Sequence, residues 1–193
     1  MGDDGDWGVR EDLDVSDVAQ VLAGETAAFA GIVGRWQTRI VNLAWRFCRD
    51  RAMAEDMAQE AFLRAYRGLG QFQRQSKFST WLTAIALNTF RTALKERRPP
   101  LFGGEWELPA AASQLAMLRE QGRATAIREL VLTLPARYRD PLVLFYFEEM
   151  NLEETARILA LPEGTLKARL HRGRELLKKR CVARWGDEYG PSG

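Results

Sequence analysis

The stretch LEETARILALPEGTLKARLHRGRELLKKR, residues 152–180, decides the fold. Leu152 to Ala160 reads as a short amphipathic helix, with Ala156 where two crossing helices must approach closely. Leu161-Pro162-Glu163-Gly164-Thr165 forms the turn, and a basic helix runs from Glu163 to Arg180. That is the spacing of a helix-turn-helix, whose second helix enters the major groove of DNA. At 100° per residue Leu166, Leu170, Gly173 and Leu177 form a buried stripe. Lys167, Ala168, His171, Arg172, Arg174 and Lys178 lie on the opposite arc. Residues near the helix start face base edges and later bases face phosphates. Glu163 and Thr165 are thus candidate base readers, with Lys167, His171 and Arg172 beside them. An αα-hairpin with a solvated basic face fits the same residues. With a single histidine in the chain, His171 reads as a groove residue and no metal site is expected.

The rest of the chain is helical too. Phe29, Ile32, Val33, Trp36, Ile40, Leu43, Ala44 and Phe47 recur at helical spacing, predicting a helix over 25–48. Further helices are expected over 53–69, 77–96, 114–134 and 136–148. Pro99 and Pro100 end the third, and Leu101 to Ala112 lacks periodicity and reads as a linker. No stretch alternates as a strand. The expected fold is therefore all-α: an N-terminal helical bundle (25–98) and a C-terminal helix-turn-helix domain (114–184) joined by a flexible linker (99–113). An acidic tail (1–24) precedes them and a short tail (185–193) follows. The 193 residues, 46% hydrophobic and 28% charged, are ordinary for a globular protein of one or two domains.

The formal charge of +2 hides strong patterning. Residues 1–27 carry a net −7 and residues 28–100 a net +8, while 164–184 hold eight bases against Glu175 alone. Two basic zones suggest two contacts with a polyanion, nucleic acid foremost. Two cysteines, an acidic start and no apolar run of membrane-spanning length point to a reducing cytoplasm without membrane insertion.

The N-terminal bundle offers a second kind of surface. Lys77, Trp81, Ala84, Asn88, Arg91 and Lys95 share one side of their helix, a mixture suited to stacking on and bonding unpaired nucleotides. The preceding loop, Phe72 to Lys77, is polar and basic, and could shape a pocket for an extruded base. Trp81 also fits as a core residue at the helix start. On the helix before, Leu63 stands among Asp56, Gln59, Glu60 and Arg67, opposite the apolar arc Met53, Met57, Ala61, Ala65 and Leu69. An exposed leucine ringed by charge can anchor a protein contact.

Ala54-Glu-Asp-Met-Ala-Gln-Glu-Ala-Phe-Leu-Arg-Ala-Tyr66, then Phe72, then Phe78-Ser-Thr-Trp-Leu-Thr-Ala-Ile-Ala-Leu-Asn88, closely resemble region 2 of bacterial sigma factors of the extracytoplasmic-function (ECF) group, in the sigma-70 family. Leu134-Pro-Ala-Arg-Tyr-Arg139 and the stretch Glu153 to Leu177 resemble region 4 of that group. The resemblance implies that Asp56, Gln59, Glu60, Leu63 and Arg67 dock on core RNA polymerase. It implies that Phe72, Arg74, Ser76, Lys77, Trp81, Asn88 and Arg91 open the promoter and hold minus-ten bases. Glu163, Thr165, Lys167, Arg169, His171, Arg172 and Arg174 would read the minus-thirty-five element. The linker, with Glu105 and Glu107, would thread polymerase toward its RNA exit channel. Expected partners are the largest and second-largest polymerase subunits, promoter DNA and an anti-sigma factor. No cofactor and no catalysis by the chain itself are expected. One departure is Ala160, at a turn position where glycine is common; a left-handed alanine there costs about 1 kcal/mol. A helix-turn-helix repressor is the alternative, distinguished by binding as a twofold dimer.

Overall fold

A computed structural model of the chain describes residues 4–96 and 119–186, with side chains described over 11–96 and 126–186. The described residues are helical, without a strand among them, and fall into two compact units divided between residues 100 and 101. The expected linker, 99–113, lies outside the described residues.

The first unit is built on α2 (Phe29–Cys48), α3 (Arg51–Gly68) and α4 (Phe78–Glu96). The 3.6-residue period of α2 buries Ile32, Trp36, Ile40, Leu43, Ala44 and Phe47. Arg49 turns the chain in a left-handed conformation, and Asp50 caps α3 by accepting from the Met53 N–H at 2.8 Å. The buried face of α3 is mostly alanine: Ala54, Ala58, Ala61 and Ala65, with Met57 and Phe62. Small side chains let α2 and α4 close on α3 from both sides, and α3 packs extensively against each. From α4 come Phe78, Leu82, Ala86, Leu87 and Phe90, the last meeting Phe47 at 6.2 Å between ring centres. Thr83 and Thr89, buried in this face, donate their hydroxyls to the carbonyls of Ser79 and Ile85 one turn back.

The acidic leader corrects the sequence expectation. Residues Asp4–Leu22 form a helix, α1, packed on α2 and α4. Its acids explain the difference. Asp14 is fully buried and accepts from Arg35 Nε at 2.8 Å and from Trp36 Nε1 at 2.9 Å. Asp17 takes Arg35 Nη2 at 2.5 Å. The two helices come so close that a Cβ on Gly31 would stand 2.5 Å from Asp17 Oδ2. Sequence patterning missed this because a buried ion pair looks, in one dimension, like solvated charge.

The second unit holds α5 (Arg119–Leu132), α6 (Ala136–Leu142), α7 (Leu152–Leu159) and α8 (Glu163–Trp185). The single helix expected over 136–148 is α6 continued by a wider π-helical turn, Val143–Phe147. Asn151 and Glu154 form a reciprocal capping box that starts α7. Ala160 ends it at φ 51, ψ 48, so the alanine takes the left-handed conformation itself, with the Leu161 N–H closing onto the Ala156 carbonyl at 2.9 Å. α8 buries Leu166, Leu170, Gly173 and Cys181. At Gly173 it crosses α6 so closely that a Cβ would lie 3.1 Å from Leu142. α8 also outlasts its expected end at Arg180; Trp185, expected to open the C-terminal tail, is its last residue.

The Asp14 cluster should govern the stability of the first unit. Asp14→Ala removes the buried carboxylate that accepts from Arg35 and Trp36; the cost should be about 3 kcal/mol, low for a broken buried pair because Arg35 keeps Asp17. Faster hydrogen exchange of α2 amides reads this out. Burial pushes the Asp14 carboxyl above the ordinary aspartate value of 3.8, and its bonds to Arg35 and Trp36 offset only part of the rise. A folded value above the unfolded one means that ionisation costs stability. The unit should therefore weaken as pH climbs from 3.8 through the folded value, and Asp14→Asn should remove this residue's share of the slope in urea midpoints measured across that window.

Candidate functional site

Three surfaces carry the residues singled out from the sequence. The first is the outer face of α3. With Ala54, Met57, Ala58, Ala61, Phe62 and Ala65 inward, helical geometry turns Asp56, Gln59, Leu63 and Arg67 to solvent. Leu63 is 48% exposed. Glu60, half-buried on the same face, is held by Arg64 Nε at 2.6 Å. One turn on from Leu63, the exposed Tyr66 meets the Phe29 ring edge-on at 5.1 Å. With Val33, Gly34 and Gln37 these two line a surface groove of about 550 Å³. The sequence reading missed this apolar extension, because Phe29 and Tyr66 sit on different helices and only the packing of α2 on α3 brings them together.

The second surface is the loop before α4 and the outer side of that helix. Phe72, Phe78 and Trp81 form a three-ring cluster with centres 5.3 to 5.5 Å apart. Phe78 is fully buried while Phe72 and Trp81 are half-buried. Trp81 is thus partly a core residue at the start of α4, pinned at the base of the loop, one of the two readings its sequence position allowed, and it keeps part of its ring exposed. Above the cluster Gln73, Arg74, Gln75 and Lys77 are exposed and Ser76 half-buried. Arg74 adopts φ +55, Gln75 Nε2 donates to Gln73 Oε1 at 3.0 Å, and Ser76 Oγ donates to the Lys77 carbonyl at 3.3 Å. Further along α4, Arg91 Nη1 donates to Asn88 Oδ1 at 3.3 Å. An unforeseen participant is Glu11 of α1, whose Oε1 accepts from the Phe78 N–H at 2.5 Å.

The third surface belongs to α8 in the second unit. Glu163, Thr165, Lys167, His171, Arg172 and Arg174 are exposed, behind the buried Leu166 and Leu170. Arg169 is half-buried, on the flank between the two arcs. Lys167 Nζ lies 3.7 Å from Glu163 Oε2, a pair of small energy at such exposure. Arg174 Nη1 donates to the hydroxyl of the exposed Tyr146 at 3.0 Å. Tyr146 belongs to the π-helical turn and was not singled out, since only the widened turn sets it beside α8. Among the described residues no three His, Cys, Asp or Glu side chains gather as a metal site. Nor is any helix there long and apolar enough to cross a membrane.

These surfaces coincide with two family profiles. Residues 32–99 match Sigma-70 region 2, and residues 124–177 match Sigma-70, region 4. The chain is 37% identical over 184 residues to the RNA polymerase sigma-H factor of Pseudomonas aeruginosa, covering 89% of this chain and 95% of that one. It is 37% identical over 174 residues to the ECF RNA polymerase sigma factor SigW of Bacillus subtilis, covering 84% and 93%. Identity to the ECF RNA polymerase sigma-E factor of Escherichia coli K12 is 32% over 173 residues, covering 83% and 90%. Two solved structures share the fold. CnrH in complex with the cytosolic domain of CnrY matches with a TM-score of 0.66 at 23% identity, over 89% of this chain and 98% of that one. The sigma factor RpoE of Bartonella quintana, in complex with the anti-sigma factor NepR, matches with a TM-score of 0.58 at 21% identity, over 78% and 94%. Both region profiles in chain order, over relatives covered nearly end to end, leave no room for a stand-alone helix-turn-helix repressor: the chain belongs to the ECF group of the sigma-70 family and is a promoter-directing sigma factor.

Proposed function

We propose that this sigma factor docks on core RNA polymerase through the outer face of α3, captures minus-ten bases with the 72–77 loop and α4, and reads the minus-thirty-five element with α8. The observation that carries the reading is that each surface is the exposed side of a helix whose opposite side is core. The side chains are therefore presented by rigid elements, as recognition requires. Asp56, Gln59, Glu60, Leu63 and Arg67 meet the largest subunit. Leu63 is the anchor, an apolar side chain whose burial gives affinity while the surrounding charges give register.

Strand opening must offset base unstacking of a few kcal/mol per step. Phe72, Arg74, Ser76, Lys77, Trp81, Asn88 and Arg91 supply the compensation by binding an unpaired base and its backbone, so no nucleotide hydrolysis is needed. On α8, Glu163, Thr165, Lys167 and Arg172 face base edges, while Arg169, His171 and Arg174 steady the backbone, Arg174 held by Tyr146. The catalysis of initiation belongs to polymerase; this chain supplies recognition, in the cytoplasm. The linker threads polymerase toward its RNA exit channel, and the partners are the largest and second-largest subunits. An anti-sigma factor controls the chain, a reading supported by the two fold relatives whose structures are complexes with such partners or with a cytosolic domain.

Changing Gln73, Arg74 and Gln75 together to Ala tests the opening step. Closed complexes should form as in the wild type, while open complexes, read by permanganate reactivity of thymines, should fall on duplex promoters. A pre-melted bubble should restore much of the loss, and equal loss on both templates would assign the loop to docking or folding instead.

Leu63→Glu should abolish binding to core polymerase with helicity and melting temperature retained; wild-type affinity in a pull-down would remove α3 from the interface.

On α8, Arg172→Ala or Lys167→Ala should cost about 1–3 kcal/mol on the cognate duplex with relaxed preference at one base pair. Tyr146→Phe should instead weaken all duplexes alike and lower the salt slope, the sign of a misplaced phosphate contact.

A further inference from the structure

The first turn of an α-helix leaves backbone N–H groups without partners in the helix, and α4 begins directly after the promoter-opening loop. The local chain is poorly suited to cap it. Lys77 carries only donors, and Ser76 directs its hydroxyl to the Lys77 carbonyl. The acceptor comes from 67 residues earlier: Glu11 Oε1 takes the Phe78 N–H at 2.5 Å. Burial pushes the Glu11 carboxyl up, and its bonds to the Phe78 and Ser79 amides draw it part of the way back. The other end of the loop rests on the same helix, because α1 also packs against the turn Leu69–Gln71. α1 in turn is fixed to α2 by Asp14, Asp17 and Arg35. Both ends of the 72–77 loop thus lean on a helix that precedes the region 2 match at 32–99.

We propose that Glu11 is a positioning residue for promoter opening, holding the first turn of α4 and the end of the loop in the arrangement that receives an unpaired base. The proposal rests on the assignment of that loop made above. Without the bond the Ser76–Ser79 backbone frays, and capturing a base must first re-order it. That ordering cost falls on the opening step and leaves polymerase docking on α3 untouched.

The test uses the full chain with core polymerase and two variants. Glu11→Ala should speed amide exchange at Phe78 and Ser79 and reduce open complexes on duplex promoters about tenfold, the effect of one hydrogen bond to a charged group. Core affinity and closed complexes should stay at wild-type level, and a pre-melted template should recover most of the loss. Glu11→Gln keeps a carbonyl acceptor and should restore opening, which also carries the test if the Ala variant is poorly folded. Unchanged exchange at Phe78, wild-type opening by Glu11→Ala, equal loss on both templates, or a folded Gln variant as defective as Ala would each overturn the proposal. If opening by Glu11→Ala is normal while the Gln73/Arg74/Gln75 variant is defective, the loop assignment stands and only Glu11 falls. If the loop variant opens normally, the assignment itself falls, and Glu11 with it.

Discussion

The first unit depends on how closely helices can approach α3. Four of the six side chains it buries are alanines, so α2 and α4 lie against it at backbone range and bring their large residues to the same depth. Phe47 of α2 and Phe90 of α4 reach each other for this reason. So do Phe29 and Tyr66 at the surface. A methyl-sized side chain gives little apolar burial of its own, about 0.8 kcal/mol per methylene-sized group; what it gives is proximity. The larger residues of the neighbouring helices supply the burial, and the outer side of α3 is left to a leucine and a set of charges that the core does not need.

The second unit solves the same problem with one glycine and a cap. Gly173 lets α8 cross α6, and the Asn151–Glu154 box starts α7 where the turn requires it. Together they fix the angle at which α8 presents Lys167, His171 and Arg172. Lys167, His171 and Arg172 lie outside the buried stripe of α8, so their chemistry is free to serve recognition.

Much of this was legible in one dimension. Periodicity located α2, α3 and α4, the inward Leu166, Leu170 and Gly173 of α8 and the exposed Leu63, because each depends on local geometry alone. Ala160 was marked by the family resemblance as standing where glycine is common, and the backbone there is left-handed without adjustment. What escaped depends on contacts across the chain. The acids of residues 11–17 read as a tail since nothing in their spacing shows that Arg35 and Trp36 will meet Asp14. Trp81 fitted both a stacking surface and a core position in sequence, and only its contacts with Phe72 and Phe78 show that it is shared between the two. Tyr146 and Glu11 act through partners 28 and 67 residues away, beyond the reach of any helical period.

Among the described residues, the non-glycine residues Arg49, Arg74, Glu149 and Ala160 hold positive φ angles. At Ala160 the geometry is imposed from outside: the capping box anchors one end of α7, and the burial of Ala156 and Leu166 anchors the other. Packing of this kind can carry a strain of about 1 kcal/mol per residue, so the backbone keeps its path when the residue best suited to it is replaced. The shape of this turn is therefore set by the packing of the helices on either side and not by the residue within it. A pattern keyed on a glycine between the two helices would pass over this chain, whereas one keyed on the spacing of its buried aliphatic residues would find it.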